Sequence, residues 1–255
     1  MIFDLTGMYA AMLVFTRAGT LFMTLPVFGG AMIPRVMRLA FGALVSLFVV
    51  PIVASNPLEV PHHFAGYILA MGSEFIVGMV MGLAVRSVFG IISMSGFLIG
   101  NATSLSRDQN MNLGEDDGGG LVGTLLYYFA TVVFIVSGLH YEVIAAFVES
   151  FRLLPVGTLA AGHFNSLNVV AATARIFEIG LLMAAPFVAV NFIITTTFAL
   201  LGKVAQRVNV FMISFAIRIL VGFMVLIGTA GLLTHYIQNE FSNLPHIMLN
   251  FLTGV

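Results

Sequence analysis

Long apolar stretches alternate with short polar breaks along the whole chain. The stretches cover residues 8–28, 37–54, 64–100, 121–151, 169–201 and 208–236. In lipid every backbone polar group must be bonded internally, and none of these stretches alternates as a barrel strand does, so the pattern predicts six helical regions and an all-α fold. About 20 residues of helix cross a hydrocarbon core, and the second stretch is near that minimum. The third would reach roughly 55 Å as one helix at 1.5 Å per residue. It is either a hairpin of two helices or a single helix that projects beyond a bilayer. The fourth and fifth stretches are also over-long, and Pro186 should kink or break the fifth. Most breaks carry turn chemistry: Gly29, Gly30 and Pro34; then Pro51, Asn56, Pro57 and Pro61; then Pro155, Gly157, Gly162 and Asn165.

The remaining long break is different in kind. Residues 101–120, NATSLSRDQNMNLGEDDGGG, hold Arg107, Asp108, Glu115, Asp116 and Asp117 between two stretches that a bilayer would accept. A chain this apolar needs a wet or protein-lined place for such a segment. A solvated loop is the plain reading, and a mobile segment in an aqueous path is the sharper one. Met111 offers one apolar side chain from within it, which would suit a plug.

Composition fixes the class. The chain is 60% hydrophobic and 8% charged, whereas soluble domains are about 25% charged, so an integral membrane protein is expected. Ten basic against eleven acidic residues leave no basic stripe for nucleic acid. With no cysteine, thiolate catalysis and cysteine-ligated zinc are excluded. The opening MIFDLTGMYA has Asp4 and no basic residue before Arg17, unlike a cleavable signal, so the first apolar segment is expected to be retained. Glycines recur within the apolar stretches, as in Gly78-x-x-x-Gly82 and Gly96-x-x-x-Gly100. Small residues let helices approach closely in lipid, and ordinary intrachain packing explains them.

Ionisable residues inside apolar stretches are the first place to look for function. The buried-charge candidates are Arg17, Glu74, Arg86, Glu178 and Arg218. Arg175 and Glu178, three apart, are placed to pair on one helix face, as are Glu149 and Arg152. Glu74, Arg86 and Arg218 have no such neighbour, so each needs a charge from another helix, another subunit or water. A secondary transporter could use Glu74, Arg86 or Glu178 for coupling, though no carboxylate cluster supports it. Asp108-x-Asn110-x-Asn112 suggests a calcium loop, but Leu113 and Gly119 stand where glycine and a bidentate glutamate are required. No HExxH, GxSxG or P-loop occurs. Enzyme is the weakest class, and no catalytic residue, cofactor or metal ligand is expected.

Several ordered stretches resemble the FliR family of flagellar export proteins, which includes the T component of virulence type III secretion. They are FTRAGTLFMTLPVFGGAMIPRVMRLAFG with Arg17, Pro26, Pro34 and Arg38; GSEFIVGMVMGLAVRSVFGIISMSGFLIG; GLHYEVIAAFVESFRLLPVG; and APFVAVNFIITTTFALLGKVAQRVNVFMISFAIRILVGF with Arg218. The chain departs from the family in lacking proline in Lys203-Val204-Ala205-Gln206 and in carrying Glu115-Asp116-Asp117-Gly118 at the island's end. Asn209-Val210-Phe211 leans towards the flagellar branch.

The resemblance implies a single export-gate domain over residues 1–255, non-enzymatic, built of tilted helical hairpins. The expected partners are the gate's P and Q subunits, with this chain in one copy, together with the B subunit, the A export component, membrane lipid and unfolded flagellar substrates. The expected place is the bacterial inner membrane at the flagellar basal body. The family's pore plug maps onto residues 104–119, with Ser104, Leu105, Ser106, Arg107, Asp108, Gln109, Asn110, Met111, Asn112, Leu113 and Gly114 at its heart. A virulence secretion subunit and a purely structural scaffold are the alternatives within this assembly.

Overall fold

A computed structural model describes residues 5–28, 34–53, 60–61, 63–105, 120–158, 166–204 and 209–253. They form helices, with no strand among the described residues: α1 (Leu5–Thr24), α2 (Arg35–Val53), α3 (Phe64–Thr103), α4 (Gly120–Val136), α5 (Leu139–Leu153), α6 (Ser166–Val204), α7 (Val210–Ser242) and α8 (Leu244–Thr253). The helix ends follow local chemistry. Pro26 follows α1 and opens a short 3-10 turn, Pro34 precedes α2, and Pro155 follows α5. Each of these prolines lacks the N–H that would continue a preceding helix.

Four described helical stretches are long and apolar enough to cross a membrane, and α4 with α5 makes a fifth if counted as one broken span. This corrects the expected six. The first apolar region, α1, is not among them. The third is one helix of 40 residues, roughly 60 Å at 1.5 Å per residue, and not a hairpin. No proline interrupts it, and helical spacing alone could not choose between the two forms. The fourth region is broken where Gly138 takes φ 73°, a left-handed conformation that glycine adopts without steric cost. The helix of the fifth region continues through Pro186, so the proline does not break it.

By packing, the chain divides into two compact units made of separate segments, residues 1–87, 138–172 and 242–255 in one and residues 88–137 and 173–241 in the other. In the first, α1 lies close against α2, and a Cβ on Gly42 would stand 3.2 Å from the Gly19 Cα. It lies as close to α3, where a Cβ on Gly78 would overlap Thr20 and come 2.5 Å from the Arg17 carbonyl oxygen. Leu13, Met81, Phe147 and Met248 are fully enclosed in this unit. The second unit has an aromatic core in which Phe89 meets Phe241 at 5.1 Å between centroids and Phe134 meets Phe241 at 5.2 Å. There α3 and α4 touch at Gly96 and Gly123, where an added Cβ would be 3.1 Å from the Gly123 nitrogen. Both GxxxG pairs therefore contribute at least one glycine to packing within the chain.

Candidate functional site

The first unit encloses an ion pair between helices far apart in sequence. Arg17 on α1 is 1% exposed and Glu74 on α3 is 0% exposed. Arg17 Nε–H donates to Glu74 Oε2 at 2.5 Å, Nη1 donates to Ser150 Oγ at 3.1 Å, and Nη2 donates to the Leu154 carbonyl at 3.0 Å. The second carboxylate oxygen, Oε1, accepts the Gly157 N–H at 3.0 Å. The Phe151 ring lies 4.1 Å from the guanidinium carbon, close enough for a cation–π contact. Every guanidinium nitrogen and both carboxylate oxygens are thus engaged.

Local structure sets up each partner. Ser150 and Phe151 are consecutive residues in the last turn of α5. Leu154 follows that helix, and Pro155 prevents its continuation. Gly157 then turns with φ 83°, which aims its N–H at Glu74. On the same turn Thr158 accepts a hydrogen bond from Ser73 Oγ at 2.8 Å. The network therefore fastens α1, α3, α5 and the 154–158 turn at one point. A buried pair is not by itself stabilising, but removing one member costs about 3–5 kcal/mol because the other charge is stranded. With both carboxylate oxygens accepting hydrogen bonds, Glu74 is suited to holding helices together and poorly suited to relaying protons.

The other candidates are placed differently. Arg86 and Glu178 are exposed, not buried as expected, and form no ion pair among the described residues. Arg218 is half-buried, and its Nη2 donates to Thr195 Oγ1 at 3.2 Å. Arg175 does not pair with Glu178. It makes a two-pronged bridge to Glu240 on α7, with both bonds at 2.8 Å. Glu240 is 4% exposed at its side chain against 44% for Arg175, so the carboxylate with the most to lose from isolation takes the arginine. The expected Glu149–Arg152 bridge does form, at 3.1 Å and in the open, where such pairs contribute about 0–1 kcal/mol.

The described residues reach the root of the polar island. Helix α3 ends with Leu105 N–H donating to the Gly100 carbonyl at 3.0 Å and Ser104 N–H to the Asn101 carbonyl at 3.3 Å. Those two bonds make a Schellman end. The left-handed position, φ 62°, is filled by Ser104 where glycine is usual. At the far side Gly120 opens α4, also with φ 62°. Of the plug residues named from the sequence, Ser104 and Leu105 are half-buried at this root. Ser106, Arg107, Asp108, Gln109, Asn110, Met111, Asn112, Leu113 and Gly114 lie outside the described residues.

Residues 8–244 match the model of the family described as bacterial export proteins, family 1. The chain belongs to that family. Flagellar biosynthetic protein FliR of Caulobacter vibrioides is 26% identical over 214 residues, covering 84% of this chain and 85% of that protein. The FliR of Bacillus subtilis is 25% identical over 251 residues, covering 96% and 95%. The FliR of Escherichia coli K12 is 20% identical over 237 residues, covering 93% and 90%. In this member of the bacterial export family, Ser150, Gly157 and Glu240 are among the participants in the polar contacts that the sequence pattern does not single out. Ser150 and Gly157 gave no signal beyond a turn and a helix end. Glu240 lies just past the last apolar stretch, where a charge looks ordinary, and its burial depends on the packing of α7.

Proposed function

We propose that this chain is a membrane subunit of the bacterial flagellar export gate. With the P and Q subunits it forms the channel for unfolded flagellar proteins, in the inner membrane at the basal body, next to the B subunit and the A export component. The observation that carries this is the likeness to FliR proteins over nearly the full length of both chains. Exposed apolar side chains support it, among them Phe192 on α6 and Phe211, Met212 and Ile227 on α7, because such faces need lipid or protein cover. The saturated Arg17–Glu74 pair counts against a transporter that uses Glu74 as its coupling group. The loop over residues 104–119 closes the pore, and neighbouring subunits hold it shut.

Two experiments test the proposal. Native mass spectrometry of the chain co-expressed with P and Q subunits should find one copy within a larger, unequal assembly. A stable lone monomer or a symmetric homo-oligomer would refute the gate. Deleting residues 107–112 should leave assembly intact and raise the leak of ions through the complex. Unchanged leak in assembled complexes would remove the plug and leave a scaffold.

A further inference from the structure

Helix α3 changes character along one exposed face. At about 3.6 residues per turn, residues eighteen apart lie on one line, about five turns from each other. Ile68, Gly72, Phe75, Met79 and Leu83 share an arc of roughly 80°, and all of them are exposed. About five turns further on, the same arc carries Arg86, Gly90, Ser93, Phe97 and Asn101, exposed except for the half-buried Gly90. The upstream set is apolar and glycine, so it needs lipid or protein cover. The downstream set, Phe97 excepted, is polar or glycine. Its line runs on to Ser104, the left-handed residue that closes α3.

The polar side chains on this line are uncommitted. Ser73, Ser87 and Ser95, which lie off the line, each donate to the carbonyl three residues back. Ser93 makes no such bond, and the Asn101 amide has no partner among the described residues. A hydroxyl and an amide need water or polar partners, and lipid offers none. The neighbouring helices leave the line open. On one side α6 meets α3 at Met94, whose Cγ would lie 3.0 Å from a Cβ on Gly180, and on the other α4 meets it where Gly96 faces Gly123.

We infer that the downstream half of this face borders the water-filled path of the gate and touches the unfolded polypeptide in transit. The inference rests on the export-gate proposal and adds to it a surface that the passing chain meets. An unfolded chain offers an N–H and a C=O at nearly every residue, whatever its sequence. Ser93 and Asn101 both donate and accept, so they hold water at the wall and meet that backbone without selecting a sequence. Phe97 lies between them and gives passing apolar side chains a contact. Phe75 and Leu83 hold the equivalent places upstream and are covered, away from the path.

The chain has no cysteine, so each introduced thiol is a unique probe within it. Ser93→Cys and Asn101→Cys are compared with Phe75→Cys and Leu83→Cys in the full chain co-expressed with the P and Q subunits. Recovery of those subunits with each variant guards against a folding defect, and one assembled downstream variant is enough to decide. In assembled complexes the downstream thiols should react with a charged, water-soluble methanethiosulfonate at least tenfold faster than the upstream ones. An export substrate stalled by a folded C-terminal domain, with cysteines along its unfolded stretch, should form disulfides at the downstream positions alone. Equal labelling rates upstream and downstream overturn the inference and leave the gate standing. So does fast downstream labelling without a disulfide while stalled substrate stays bound, which puts the face in bulk water outside the path. If the unsubstituted chain recovers no P or Q subunit, the gate proposal fails and the inference fails with it.

Discussion

Replacing Arg17 with methionine isolates the physics of the buried network. Methionine fills much of the volume but donates nothing. Glu74, fully enclosed, would keep only the Gly157 N–H at 3.0 Å, while the Leu154 carbonyl loses the bond now at 3.0 Å. Stranding one charge of a buried pair costs about 3–5 kcal/mol. At about 2–4 °C per kcal/mol for a protein of 150–250 residues, the melting midpoint should fall by roughly 6–20 °C. Glu74→Gln on the same background removes the stranded charge and keeps an acceptor for Gly157. The double variant should therefore recover most of the loss, with a coupling of about 2 kcal/mol between the sites. The chain has no tryptophan, so helical circular dichroism at 222 nm, followed on heating the detergent-purified protein, is the appropriate assay. An Arg17→Met midpoint within about 3 °C of wild type, or a double variant equal to the sum of the singles, would refute the account of the network.

Further expectations concern the same helices. Gly157→Ala puts a Cβ on a left-handed residue at φ 83°, so it should lower stability by about 1–2 kcal/mol, measured by the same melt. Gly78→Ala drives a Cβ against the Arg17 carbonyl oxygen, 2.5 Å away on backbone that cannot rotate aside. It should cost about 1–3 kcal/mol, and a full-stability variant would mean that α1 and α3 pack less closely. Arg175→Gln should destabilise by at least about 1 kcal/mol because Glu240 is left enclosed. Arg152→Gln, which loses an exposed bridge, should stay within about 0.5 kcal/mol, and equal effects from the two would contradict the assignment of burial.

The sequence by itself determined the class, the helices and the place of the polar island. These depend on local composition: an apolar run of sufficient length has no alternative in lipid to satisfying its own backbone bonds. Pro34 and Pro155 marked helix boundaries because the missing N–H acts on neighbouring residues alone. Gly138 broke α4 from α5 with a similarly local signal, hidden inside a run that reads as continuous. Only the tertiary structure decided the partners of the charges. Arg17 and Glu74 are separated by 57 residues, and spacing along the chain says nothing about which helices meet. Arg175 lay within reach of Glu178 one turn away, yet it bonds to Glu240, 65 residues on, because enclosure by packing makes that carboxylate the costlier one to leave alone. Local preference fixes where helices form, and burial, which is a property of the assembled fold, fixes what each charge must find.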